Sequence, residues 1–192
     1  MAFGLLLFLV QGEWRPLLRV DEAARDELHE YAVTHGGFVS ALRTLSTVGS
    51  AYLYLPLFCL VAAWLVRQGR RGLAVFVLLA VGISPLLNQL VKHLVDRARP
   101  VLDQPVAHAS GLSFPSGHAQ AATVAVLVLM VVFLPRLRRA WRAAAIAAGV
   151  IWIAAIGLAR VGLGVHYVSD VLAGVALGTV WVTAVVSVRG SA

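Results

Sequence analysis

Residues 67–100 read "RQGRRGLAVFVLLAVGISPLLNQLVKHLVDRARP". The 20 residues 72–91 carry no charge. Arginines crowd the run on one side, and a mixed lysine, aspartate and arginine cluster follows it on the other. An uncharged run of about 18 or more residues is long enough to cross the hydrocarbon core as a helix. Pro85 inside it is tolerated in a membrane helix, with a kink. Asn88, polar at that depth, is expected to make a helix–helix hydrogen bond.

Four more runs behave the same way: 44–66, 119–135, 143–159 and 171–188. Uncharged flanks and tilt lengthen the shorter ones. Composition agrees, with 60% apolar residues and only 13% charged, where soluble domains run near half and a quarter. Mean hydropathy is +0.85. The expected fold is therefore all-α, a polytopic membrane helix bundle of five full spans, forming one domain over 1–192. "MAFGLLLFLV" (1–10) adds a partial sixth. Ten helical residues rise only about 15 Å, half the core, and there is no basic start to suggest a cleaved signal. The run reads as the end of a span whose beginning lies upstream, or as a stub in the interface. No repeat or low-complexity tract appears.

"RQGRR" (67–71) and "RLRRAWR" (136–142) are short basic loops on the same side of the five spans. The positive-inside rule makes that side cytoplasmic, in a plasma membrane. The other side then carries 11–43, 97–118 and the turn at 160–166. A net charge of +7 and a pI near 10.7 raise nucleic acid as a partner. The basic residues are placed as topology signals and in the clusters below, so nucleic acid is not expected. Cys59, alone in the chain, excludes an internal disulfide.

Residues 11–43 hold six of the nine acidic residues. Leu28, Tyr31, Ala32 and Val39 give a partly amphipathic helix starting near Asp21 as N-cap, lying on the outer surface with His29 and His35 solvated. Tyr52, Tyr54, Trp141 and Trp181 fit aromatic belts or lipid-facing packing.

After Glu30 the only acidic residues are Asp96, Asp103 and Asp170, and the only lysine is Lys92. Ionisable groups near the ends of spans are costly and usually functional. Ordinary loop charges account for Asp96, Arg97, Asp103, His93 and His108. Three clusters fit that account poorly.

In "KHLVDRARP" (92–100), Lys92 and Arg99 are two helical turns apart before Pro100 stops the helix. They read as an anion clamp or as snorkelling to headgroups. In "FPSGH" (114–118), Ser116 and Gly117 open a helix whose free N–H groups suit phosphate, with His118 at the rim; an incidental capping turn is the alternative. In "ARVGLGVHYVSD" (159–170), His166 and Asp170 are i,i+4 neighbours, with Arg160 upstream. A carboxylate on one ring nitrogen makes the other nucleophilic, although such a pair also serves proton relays. Together the clusters supply two histidines, one partnering carboxylate, three cations and a helix N-terminus on one side of the membrane. Phosphoryl transfer needs those groups. No metal or other cofactor is called for.

These stretches resemble the type 2 phosphatidic acid phosphatase family, whose motifs are Lys-x6-Arg-Pro, Pro-Ser-Gly-His and Ser-Arg-x5-His-x3-Asp. Order and spacing match across residues 92–170; one position departs, with Ala159 where the family has Ser. The resemblance implies a six-helix membrane phosphatase with an outward-facing pocket. It makes His166 the nucleophile that becomes a phosphohistidine, Asp170 its orienting partner and His118 the acid for the leaving group. It gives Lys92, Arg99, Ser116, Gly117 and Arg160 the phosphate oxygens. The substrate is then polyprenyl diphosphate, phosphatidate or phosphatidylglycerophosphate, with small size leaning toward the first.

A transporter or lipid-binding protein using the same residues without turnover is the rival from another class, and it requires a continuous polar path through the membrane. A vanadate-dependent haloperoxidase shares a similar anion pocket, but those proteins are soluble and larger.

Overall fold

The structure, a computed structural model, describes residues 1–190. It contains eight α-helices and, among the described residues, no strand: α1 (Ala2–Gln11), α2 (Arg15–Thr34), α3 (Gly36–Val48), α4 (Ala51–Arg67), α5 (Arg71–Val95), α6 (Gly117–Phe133), α7 (Arg139–Gly162) and α8 (Val168–Gly190). Five stretches are long and apolar enough to span: Gly36–Arg67, Arg71–Val95, Gly117–Arg136, Arg139–Gly162 and Val168–Val188. The five expected spans are all present.

The first differs in form. It is two helices, α3 and α4, meeting at Gly49 and Ser50. Part of the segment expected to lie outside, 36–43, already belongs to α3. α2 begins at Arg15, behind Trp14 as N-cap and with Pro16 in its first turn, six residues before Asp21. Pro suits that position because its missing N–H is unpaired there anyway. Asp21 is therefore no cap; it lies inside α2 and is 1% exposed.

α6 is the central helix. Its deep half packs with α4, α5 and α8 around Phe58, Leu65, Val77, Val124 and Val128. α8 approaches α6 closely because Gly174 and Gly178, four apart, face it; a Cβ on Gly174 would come within 2.5 Å of the Ser116 carbonyl oxygen. Small residues at this spacing let membrane helices pack backbone to backbone. Leu57, Leu60, Leu86 and Ile151 face outward, as a helix in hydrocarbon requires. α1 packs its Phe3, Leu6, Leu7 and Val10 against Phe114 and Ala173.

Polar side chains inside the bundle cluster toward one end. Asn88 donates to Gln120 Oε1 (2.7 Å), and Gln120 Nε2 donates to the Ser84 carbonyl and hydroxyl (both 2.9 Å). The expected helix–helix bond of Asn88 is present, and Gln120 is its partner. Tyr52 and Trp141 are exposed, but Tyr54 is buried and accepts from Trp152 Nε1 (2.8 Å). Trp181 donates to the Ala80 carbonyl (2.8 Å). These two therefore work in helix packing, since a buried aromatic donor or hydroxyl needs a partner.

Candidate active site

Four helix ends meet where the polar residues gather. α5 brings Lys92 in its last turn, and α6 starts with Ser116 as N-cap. α7 carries Arg160 in its last turn, and α8 carries Asp170 in its first. The α7–α8 turn adds His166, and the segment after α5 adds Arg97, Arg99 and Ser113. All eight residues singled out from the sequence are at this one end.

Two local expectations need correcting. α5 stops at Val95, where Asp96 takes a left-handed conformation (φ 52°), so Lys92 and Arg99 converge through the loop and share no helix face. His166 precedes α8, yet it still meets Asp170, because one helical turn and its lead-in bring positions four apart together: His166 Nδ1 is 3.3 Å from Asp170 Oδ2.

His166 is 2% exposed. Its Nε2 lies 3.0 Å from Arg99 Nη1. A guanidinium only donates, so Nε2 is the acceptor and Nδ1 carries the proton toward Asp170. Burial pushes the imidazole down to about 4; Asp170 opposes that, and Arg160 and Arg99 add to it. The ring is thus neutral, with a fixed tautomer and its unprotonated Nε2 held by the Arg99 guanidinium.

Asp170 is fully buried and well supplied. It accepts from the Tyr167 amide (2.9 Å), from Arg97 Nη1 (2.7 Å) and from the Ser113 hydroxyl. Arg97, expected to be an ordinary loop charge, is instead a bridge. Its Nη2 donates to Asp21 Oδ2 (2.9 Å), its Nη1 also reaches Ser169 Oγ (2.7 Å), and the guanidinium stacks over Tyr167 at 4.3 Å. Burial opposes that charge, but Asp170 and Asp21 outweigh it and raise the guanidinium above its ordinary value. Asp96, Asp103, His93 and His108 are exposed as expected; His29 is half-buried, not solvated.

Of the phosphate-binding candidates, Arg99 touches His166 and Arg160 lies near enough to act on its charge. Lys92 Nζ donates to the carbonyls of Leu112 and Ser113. Arg99 donates to Val165 (2.7 Å), Gly111 and Ser110 (both 3.0 Å), and burial lowers its guanidinium, with Asp170 opposing. Arg160 Nη1 donates to Ser46 Oγ (2.5 Å), while its buried Nε has no partner. Ser116 receives the Ala119 amide at 3.5 Å and gives its own amide to the Asp170 carbonyl (2.9 Å). Gly117 leaves room beside Asn88, whose Oδ1 a Cβ would approach to 3.2 Å. His118 is half-buried on the first turn of α6. Among the described residues no group of three or more His, Cys, Asp or Glu is arranged to hold a metal.

Sequence reasoning missed Ser113, Arg97 and Asp21. Ser113 stands one residue before "FPSGH" (114–118), outside the quoted stretch. Asp21 left no signal, since a carboxylate in an acidic, amphipathic segment looks solvated.

A carboxylate-backed histidine beside arginines, held where four membrane helices end, is the arrangement that the sequence motifs lead one to expect of a membrane phosphatase. The PAP2 superfamily model matches residues 73–191, and the chain belongs to that superfamily. It is 36% identical over 137 residues to phosphatidylglycerophosphatase B of Bacillus subtilis, covering 70% of this chain and 66% of that one, just under two thirds. It is 34% identical over 168 residues to decaprenylphosphoryl-5-phosphoribose phosphatase of Mycobacterium tuberculosis, covering 82% and 84%. It is 38% identical over 104 residues to lipid A 1-phosphatase of Rhizobium etli, covering 50% and 41%. The crystal structure of a transmembrane PAP2-type phosphatidylglycerolphosphate phosphatase from Bacillus subtilis superposes with a TM-score of 0.84 at 25% identity, covering 98% of this chain and 94% of that one. The protein is multi-pass and membrane-embedded, and its named relatives are phosphatases of lipid phosphates.

Proposed function

We propose that this protein hydrolyses a lipid phosphate or diphosphate at the extracytoplasmic face of the plasma membrane, through a phosphohistidine. The observation that carries the proposal is His166: a buried, neutral imidazole, its tautomer set by Asp170, whose unprotonated nitrogen faces Arg99, the cation that a phosphate oxygen would draw away on binding. His166 Nε2 attacks phosphorus and the bond from phosphorus to the lipid oxygen breaks. His118 gives its proton to that oxygen. Water then attacks the phosphohistidine, His118 takes up a water proton, and the P–N bond breaks to release phosphate. Lys92, Arg99, Arg160 and the α6 N-terminus with Ser116 and Gly117 hold the oxygens as charge moves. Arg160 Nε, a buried donor without a protein partner, is available to one of them.

The transporter alternative needs a polar path through the bilayer. Past Ser84 and Thr123, the buried core of α4, α5, α6 and α8 is Phe58, Leu65, Phe76, Val77 and Val128, which supports turnover at one end.

The test is phosphate release by purified protein in EDTA, with phosphatidylglycerophosphate, undecaprenyl diphosphate and phosphatidate in parallel. Full activity on at least one is expected, because the three cations supply the charge that a metal would. Activity lost in EDTA and restored by magnesium overturns the mechanism, and silence on all three overturns the function. For sidedness, cysteines at Asp103 and Arg138, with Cys59 removed, are probed by an impermeant thiol reagent on intact cells. Labelling at 103 alone is expected, and labelling at 138 alone reverses the orientation.

A further inference from the structure

α2 is mostly polar and exposed, and only Asp21 and Ala32 on it are buried. Ala32 docks the helix against the apolar side of α3 and α7. Asp21 does something costlier. A buried charge loses several kcal/mol of hydration, and an apolar residue would dock the helix without that loss. Its oxygens are fully engaged: Oδ1 accepts the Ser169 amide (2.8 Å), while Oδ2 accepts the Ser169 hydroxyl (2.5 Å) and Arg97 Nη2 (2.9 Å). Ser169 lies in the first turn of α8, where free amides favour a carboxylate. It is also the neighbour of Asp170.

Arg97 therefore lies between two carboxylates, one nitrogen for each. Without Asp21, the whole charge of Arg97 would fall on Asp170 and weaken that group's hold on His166. The freed guanidinium nitrogen would also be buried unpaired, a costly state.

We propose that Asp21 is a positioning residue for the His166–Asp170 pair, acting through Arg97 and Ser169, so that docking of surface helix α2 completes the active site. The proposal rests on His166 being the reacting group. Asp21 contributes no contact to substrate. It holds Arg97 and the first turn of α8 at the distance that leaves Asp170 Oδ2 for His166.

The test compares Asp21→Asn, which removes the charge at constant shape, with Leu17→Ala, which loosens the packing of the same helix. Thermal unfolding in detergent matches the two for stability. On the best lipid substrate, Asp21→Asn should lower kcat about 10- to 100-fold, as loss of a partner one step removed from a reacting group does, with KM changed less than about threefold. Leu17→Ala should retain kcat. In an Arg97→Gln background, Asp21→Asn should cost less than about threefold more, because coupled residues are not additive. A folded Asp21→Asn protein with wild-type kcat, or independent multiplication of the two effects, overturns the proposal.

A second measurement does not depend on turnover. In protein labelled with ¹⁵N on its histidine rings, the His166 resonances, assigned by their loss in His166→Ala, should move in Asp21→Asn and stay in Leu17→Ala. Unmoved resonances overturn the proposal even where no substrate has been found. If Asp21→Asn does not fold, Ser169→Ala carries the same two readouts with a smaller change of the same sign, and no change in either overturns it. A wild-type protein that is inactive on every lipid while its His166 resonances still respond separates failure of the phosphatase assignment from failure of this one.

Discussion

His166 and His118 stand at the same end of the bundle, and their surroundings differ. His166 is buried, and Asp170, Ser113 and Arg99 all address its ring. His118 is half-buried on the first turn of α6, and the partner its ring meets is the Ser46 backbone, not a carboxylate or a guanidinium. A nucleophile has one lone pair to aim, so its tautomer must be fixed before substrate arrives. A proton donor must exchange its proton with leaving group and water, and a clamp on both nitrogens would stop that. The difference in packing suits the different tasks proposed for the two rings.

Removing His166 breaks the comparison most severely. His166→Ala should lose turnover on every substrate, by on the order of 10⁵- to 10⁶-fold, as nucleophile deletions do. Acid-labile ³²P labelling of the protein should vanish with it. Asp170→Asn should follow, at on the order of 10⁴-fold, because an amide that donates toward Nδ1 turns the wrong tautomer outward. Retention of the label in His166→Ala and its loss in His118→Ala would swap the two roles.

His118→Ala should be milder and should depend on the substrate. General acid catalysis is worth about 10²- to 10⁴-fold, so lipid phosphate hydrolysis falls by that range. On p-nitrophenyl phosphate, whose phenolate leaves without a proton, most of the loss should disappear. An equal loss on both substrates would mean that His118 holds phosphate rather than donating a proton.

The pH response sharpens the same contrast. The His166 imidazole is lowered to about 4 by burial, from an ordinary value near 6.5. Its ring ¹⁵N shifts should therefore stay those of a neutral imidazole as pH falls through 6.5, and titrate only near 4. The unfolded chain protonates this ring near 6.5, so between those values it binds more protons than the folded one. Stability should thus fall as pH drops from about 6.5 toward 4. A His166 titration near 6.5 would mean that the ring is not buried as described.

Much of this was legible in the sequence, because the informative signals were local. Spans show as uncharged runs, and the pairing of His166 with Asp170 needs only four residues of spacing. The roles of Arg97 and Asp21 are joined across 76 positions, and those of Asp21 and Ser169 across 148; no periodicity records such contacts. The α3–α4 break at Gly49 was hidden because hydropathy is blind to backbone direction. The end of α5 was misplaced because Pro100 looked like its stop, while Asp96 had already turned the chain.

The smallest expected effect concerns Ala159, where the family motif has Ser. Ala159 is fully buried beside Arg160, in an apolar cluster with Val39, Leu42, Leu163 and Val165. In that apolar setting a serine hydroxyl can turn back to the carbonyl of Ala155, one helical turn earlier. Threonines of this bundle already do this, among them Thr123 to Ala119, Thr179 to Val175 and Thr183 to Thr179, each at 2.8 Å. With that bond made, Ala159→Ser should cost about 1 kcal/mol or less in stability. Arg160, anchored on Ser46 rather than on position 159, should keep its place, and kcat/KM should stay within about threefold, below the cost of one ordinary hydrogen bond. A gain of tenfold or more in Ala159→Ser would show that the hydroxyl reaches the phosphate-binding residues, and that Ser46 now stands in for it.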